Sequence, residues 1–275
     1  MKKRIASPEL SPFRDAADVI GNRVESIAAS LDRIHDEVLS LMQSVDGGLS
    51  QLTRGDLGGL HPVIRRTLEQ HAGLLVGAGF VAEMDVLADA RQWLEWLLVK
   101  EGTFIQMQVT LDVNDVANYD YQRSDWFDLP KRGQDRAVVG PYVDFGGTNE
   151  YVVTITKPVR SEDRFLGIIG ADLSVDRVEG LLRRLARNTV GLGAIVITTD
   201  GRVIASSVPG MFPGTLLAGL DVQVAEGDAR SKGLHVLAIA GIPWRLVVLS
   251  CEDPRACDRD CRSCIGLVGP GRMSR

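Results

Sequence analysis

Two β-rich runs set close together constrain this chain more than any other feature. Residues 150–159 are dense in Val, Ile and Thr, and residues 165–173 are apolar with two glycines, so both read as strands. Ser161-Glu162-Asp163-Arg164 between them is turn chemistry, and Gly146-Gly147-Thr148-Asn149 bounds the first run on its other side. A hairpin follows. Just upstream come the aromatic side chains Tyr119, Tyr121, Trp126 and Phe127, all but the last with a polar tip, and then Tyr142 and Asp144 after Gly140-Pro141. Asp172 ends the second run. Polar aromatics, carboxylates and expected strands therefore converge between Asn118 and Leu173.

The rest of the chain supplies the frame. Ile20, Val24, Ile27, Leu31, Ile34, Val38 and Leu41 recur at alternating steps of four and three, a heptad spacing. Residues 15–46 are expected as one long amphipathic helix, stopped by Gly47-Gly48, after a disordered lead-in over 1–14. Its apolar stripe has two readings, a helix laid along its own domain or a seam between two chains of a homodimer. Residues 43–60 read as a loop, and His61-Pro62 opens a helix over 62–72, with proline in the first turn where its missing N–H costs nothing.

A buried strand is expected over 74–84 and a half-exposed one over 104–111. Between them, residues 85–100 are ambiguous, since Leu87, Trp93, Trp96 and Leu97 suit a helix. After Asp172, Ser174 can cap a helix over 175–188, with Asp176 and Glu179 early and arginines late. Two further hairpins follow, one around Thr199-Asp200-Gly201 and one around Gly241-Ile242-Pro243.

Charge and cysteine placement exclude several functions. A net charge of −5 over 275 residues gives no basic footprint, so direct nucleic-acid binding is not expected. No P-loop, HExxH, nucleophile elbow or Rossmann fingerprint appears, and no enzyme is expected. All four cysteines, Cys251, Cys257, Cys261 and Cys264, lie in the last tenth of the chain as C-x5-C-x3-C-x2-C. They have three readings: a zinc or iron–sulfur site, redox disulfides, or an unligated tail. The histidines, His35, His61, His71 and His235, are scattered and form no ligand spacing.

The aromatic and acidic residues fall in the order and approximate spacing of a known motif. Tyr119, Trp126 with Phe127 behind it, Tyr142, Asp144 and Asp172, with GPYVD, VVTITKPV and GIIGADLSVDRVEGLL around them, resemble the ligand motif of Cache domains. These are the PAS-like sensor modules of bacterial chemoreceptors and histidine kinases. The resemblance implies an α+β fold, a long N-terminal helix followed by PAS-like antiparallel sheets. A ligand-binding lobe would span 60–186, an abbreviated second lobe 188–250 and a cysteine-rich tail 251–275. It also implies a strand at 91–99.

One position departs from the amino-acid sensors of that family. Where they carry an arginine for the ligand carboxylate, two residues before the tryptophan, this chain has Ser124, and Arg123 is displaced by one residue. The pocket implied by the resemblance uses Tyr119, Tyr121, Arg123, Ser124, Trp126, Phe127, Tyr142, Asp144 and Asp172. Aromatic faces beside carboxylates suit an ammonium group, with each cation–π contact worth about 0.5–2 kcal/mol. An α-amino acid fits if Arg123, Lys131 or Arg136 supplies the missing cation, and an amine or betaine fits if none does. The alternative is that these residues only cap strands and fill core.

With no apolar leader after Met1-Lys2-Lys3-Arg4 and no apolar run near 20 residues, a cytoplasmic, membrane-free sensor is expected, signalling to an unidentified protein partner. The rivals are a metal- or redox-responsive protein using the cysteines and an enzyme acting on a small amine.

Overall fold

The computed structural model describes residues 10–45, 51–112, 114–189, 191–217 and 234–250. The chain divides into two compact units, one from Glu25 to Ser174 and one from Val175 onward together with the start of the chain to Val24.

The unit Glu25–Ser174 is built on a six-stranded antiparallel sheet. Its strands are β1 (Leu75–Ala82), β2 (Leu94–Lys100), β3 (Thr103–Gln106), β4 (Ala137–Val143), β5 (Tyr151–Ser161) and β6 (Arg164–Ser174). They lie in the order β3-β2-β1-β6-β5-β4. The hairpin of β5 and β6 is thus interior, and its apolar runs are buried on both faces. Alternation sorts the side chains. Ala78, Phe80, Ile155, Ile169 and Ala171 are buried, while the intervening positions form cross-strand rows on the opposite face. Thr154 pairs with Asp172 and Asp172 with Gly77; Gly170 pairs with Gly79 and Gly79 with Trp96.

Helix α1 (Ser11–Ser44) begins four residues earlier than its sequence pattern suggested, so residues 11–14 belong to the helix and not to the lead-in. Phe13, fully buried, accounts for the extension. Ile20, Val24, Ile27, Leu31, Ile34 and Val38 are all buried within this chain. The heptad stripe is packed into the chain's own core from Ile20 to Val38, as the first of its two readings expects. In its second half, Ser30 bonds His71 at 2.8 Å and Asp32 pairs with Lys157 of β5.

Residues 43–60, expected as a loop, contain helix α2 (Arg54–Leu57) and a 3-10 turn that runs into helix α3 (His61–Gln70). The backbone N–H and hydroxyl of Thr53 both donate to the Asp56 carboxylate, at 2.8 and 2.6 Å, a capping arrangement that outweighs the surrounding glycines. The ambiguous stretch resolves as a strand, β2, because both of its faces are buried, with Leu94, Trp96 and Leu98 on one and Glu95 and Leu97 on the other. β4 was not foreseen. Its Gly140-Pro141 sits at a register shift within the strand, where a Cβ on Gly140 would stand 2.8 Å from the Val152 carbonyl oxygen.

The second unit carries a four-stranded antiparallel sheet of β7 (Leu192–Ile197), β8 (Val203–Ser206), β9 (Leu234–Ala238) and β10 (Arg245–Ser250), in the order β8-β7-β10-β9. Both hairpins expected from the sequence are present. Helix α5 (Val175–Asn188), placed with the first lobe from sequence, belongs to this unit, where it packs on β7 and β8 through an apolar stripe that includes Val178 and Leu182. No helix among the described residues is long and apolar enough to cross a membrane. The cysteine run 251–264 lies outside the described residues.

Candidate functional site

The glycines of β1 and β6 make room for one large ring. A Cβ on Gly77 would stand 2.6 Å from the indole nitrogen of Trp96, and a Cβ on Gly170 would stand 3.2 Å from the far edge of the same ring. Trp96 therefore lies flat over bare backbone and points from β2 toward Asp172. Beside it, Thr154 of β5 faces Asp172 of β6 across the strand pair. These three residues form the floor of a cavity whose walls include Met107, Tyr119, Trp126, Tyr142 and Asp144.

Each wall residue is held by a local device. Trp126 stands on helix α4 (Asp125–Lys131), and its backbone carbonyl accepts a bond from Thr156 at 2.7 Å. Asp144 begins a turn in which its carbonyl accepts from Asn149 N–H at 3.0 Å and its carboxylate accepts from Thr148 N–H at 2.9 Å. Gly147 is required there, since a Cβ would overlap the Asp144 carboxylate at 1.9 Å. The Tyr119 hydroxyl donates to the other Asp144 oxygen at 3.3 Å. Tyr142 bonds Thr154, whose hydroxyl donates to Asp172 Oδ1 at 2.6 Å. The space between these walls is about 270 Å³ overall and narrow, with clear room for about one water molecule, so a ligand must part the side chains to enter.

Electrostatics set the character of the site. Burial, and then the negative charge of Asp144, push the Asp172 carboxyl up to about 7, against the opposing bond from Thr154 and the nearby Trp96 N–H. Burial likewise raises the phenols of Tyr119 and Tyr142 well above the usual tyrosine range, reinforced by the two carboxylates, so both remain neutral donors. Among the described residues, no lysine or arginine lines the cavity. A carboxyl in such a place calls for a cation or keeps its proton.

The other nominated residues are placed elsewhere. Tyr121 is fully buried core: its hydroxyl donates to the Ala82 carbonyl at 2.8 Å, its ring meets Phe127 edge-on at 5.1 Å, and burial pushes its phenol up to about 12. Phe127 packs between Tyr121, Trp126 and Phe165. Arg123 is exposed and faces Asp120 at 3.9 Å, and Ser124 is the residue from which α4 starts. The stand-ins for the missing arginine are occupied as well, Lys131 by Glu83 at 2.5 Å and Arg136 by Glu25 at 2.8 Å. Trp96, Thr154 and Met107 line the cavity without having been singled out from sequence.

A second, wider groove of about 630 Å³ is lined in part by Arg54, His61, Asp89, Trp93 and Glu95. Its charges already answer one another. Buried Glu95 accepts from His61 at 2.5 Å, Trp93 at 2.9 Å and Gln106 at 3.3 Å, and Arg54 pairs with Asp89 at 3.0 Å. Among the described residues that line these two pockets, only those of the narrow cavity include a buried carboxylate with no basic side chain beside it.

Residues 62–179 match the family model of the methyl-accepting chemotaxis protein-like first PDC sensor domain. The methyl-accepting chemotaxis protein PctB of Pseudomonas aeruginosa is 27% identical over 140 residues, 46% of this chain and 22% of the relative. PscA of Pseudomonas syringae pv. tomato, another methyl-accepting chemotaxis protein, is 28% identical over 92 residues, 33% of this chain and 14% of the relative. The chain thus spans less than a quarter of the length of either relative.

Among solved structures, the ligand-binding domain of the Pseudomonas fluorescens chemoreceptor CtaA in complex with L-valine matches with a TM-score of 0.58. It is 12% identical and the match covers 88% of this chain and 95% of that one. The family model and the structural neighbours are PDC and chemoreceptor ligand-binding domains, and they support the Cache-type sensor family expected from the motif. The mixed α+β fold, an N-terminal helix followed by antiparallel sheets, is theirs as well.

Proposed function

We propose that this Cache-type sensor binds a small ligand carrying an ammonium group, seated between Asp144 and Asp172 and walled by Trp126, Tyr119 and Tyr142. One observation carries the reading: two carboxylates share a narrow cavity that no described lysine or arginine lines. An ammonium group supplies the missing positive charge, and aromatic faces add cation–π attraction. The same observation selects among cations. A ligand carboxylate in this cavity would meet two like charges and no guanidinium, so a simple amine or quaternary ammonium compound fits better than an α-amino acid.

A second reading keeps the amino acid, because the CtaA neighbour holds L-valine. It requires Lys131, Arg136 or Arg123 to leave Glu83, Glu25 or Asp120 and turn inward.

A thermal-shift screen against amino acids, biogenic amines, polyamines and betaines separates the two. A ligand at about 100 times its Kd adds roughly 2.7 kcal/mol, which for a chain of this size is a shift on the order of 5–10 °C. Selective stabilisation by an amine is expected. Stabilisation by amino acids alone would move the assignment to the second reading, and no stabilisation across the panel would remove both. The bound amine is expected to be recovered chemically unchanged, as for a sensor and not an enzyme.

Signalling from a cytoplasmic form to a separate protein, as a homodimer, belongs to the same proposal. So does zinc or an iron–sulfur cluster at Cys251, Cys257, Cys261 and Cys264, for which metal analysis of the purified chain is the test.

A further inference from the structure

Trp96 has a buried polar atom with nothing to bond. The residue is 4% exposed, and its indole N–H has no hydrogen-bond partner in the structure. Its position is not a packing accident, because glycine at 77, 79 and 170 leaves the trough in which the ring lies, and a Cβ on Gly79 would come within 2.7 Å of the Trp96 Cα. A point over Gly77 lies 2.6 Å from the indole nitrogen and 3.3 Å from Asp172 Oδ2. Donor and acceptor therefore meet over the same glycine. Thr154 holds Asp172 Oδ1, while the Trp96 N–H lies near enough to favour the charged carboxylate but makes no hydrogen bond of proper distance and angle to Oδ2.

We propose that Trp96 is a positioning residue for Asp172: the glycine trough holds its indole N–H in reserve beside the carboxylate oxygen that Thr154 leaves free. The bond forms once Asp172 ionises around a cationic ligand. In the empty cavity below about pH 7 the Asp172 carboxyl keeps its proton, a neutral group gives the indole little to bond, and the N–H stays unpartnered. When an ammonium group enters, the proton leaves Asp172 for solvent, and the resulting carboxylate is held by Thr154 on one oxygen and Trp96 on the other.

The groups that face Asp172 are Asp144 from the turn after β4, Tyr142 from β4 and Tyr119 from the segment before α4, with Thr154 and Trp96 on the floor. Of these, Asp144 brings negative charge and opposes ionisation, while Thr154 and Trp96 favour it. Trp96 is the one whose bond is not already made.

The inference rests on reading the cavity as a cation site, but its test uses no ligand, so the two fail separately. Nitrogen-15 spectra of the ligand-free full chain show one indole signal per tryptophan, four in all, and Trp96→Phe identifies the one that belongs to Trp96. Between pH 5 and 9 that signal is expected to move downfield as the Asp172 carboxyl, read by carbon-13, ionises. The movement should vanish in Asp172→Asn. In Trp96→Phe, which keeps the ring in its trough, the Asp172 midpoint should rise, because the donor that favours the charged form is gone. A Trp96 signal that stays fixed while Asp172 titrates, or moves equally in Asp172→Asn, would overturn the proposal. So would an Asp172 midpoint unchanged by Trp96→Phe.

Discussion

Asp172→Asn is expected to cost more than 100-fold in affinity for the cationic ligand while leaving the protein folded. The substitution keeps the shape of the side chain and an oxygen able to accept from Thr154, so the floor of the cavity stays in place. What it removes is the charge. Leaving one member of a buried ion pair without its partner costs about 3–5 kcal/mol, and each 1.4 kcal/mol is about tenfold in affinity. The ammonium group would then face Asp144 alone, in a cavity that gives it little water. Melting temperature and affinity measured on the same samples separate lost recognition from lost fold. Unchanged affinity in a folded Asp172→Asn protein would sink the site assignment.

The second large effect is on pH. A cation binds the ionised form of Asp172, and burial beside Asp144 holds that carboxyl near 7. Below about pH 7 the ligand has to displace a proton, so affinity should fall by about tenfold for each pH unit. Above that range it should level off.

The ligand-free protein carries the opposite signature. Because the folded carboxyl titrates near 7 and the ordinary value is 3.8, the folded state holds the proton more tightly than the unfolded chain. The stability this contributes is fully present below 3.8 and is lost as pH rises through about 7. Other carboxylates follow their own trends, so the quantity to measure is wild type minus Asp172→Asn. That difference should favour wild type at pH 4 relative to pH 8, by about 4 kcal/mol at most, since each pKa unit is worth about 1.4 kcal/mol. A pH-independent difference would show that Asp172 is not held neutral by its surroundings.

Much of this arrangement is legible in the chain itself. The β5–β6 hairpin announces itself through Val, Ile and Thr between turn signals, and α5 through its charge order. Tyr119, Trp126, Tyr142, Asp144 and Asp172 stand out because amphipathic aromatics and acids recur around expected strands, and all five reach one cavity. The misses have a common cause: the deciding neighbour is distant in sequence.

Thr154 looks like any β-former in a VVTIT run, and its part at the cavity appears only when β5 pairs with β6 and sets it opposite Asp172. Trp96 stands in a stretch that satisfies helical and strand periodicities alike, so neither its strand nor its direction can be read locally. Tyr121 carries the same polar tip as Tyr119, yet its hydroxyl donates to the Ala82 carbonyl, 39 residues away, and it is core. Arg123, one position from where an arginine would face a ligand carboxylate, follows the turn before α4 outward to solvent.

That the positive charge of the ligand is what the cavity reads can be tested directly. The amine that stabilises the protein most is titrated calorimetrically beside its N-acetylated derivative, which keeps the carbon skeleton and loses the charge. Heat of binding from the amine and none from the acetylated compound is the predicted result. Comparable binding by both would show that Asp144 and Asp172 do not select the ligand by charge, and would contradict the account.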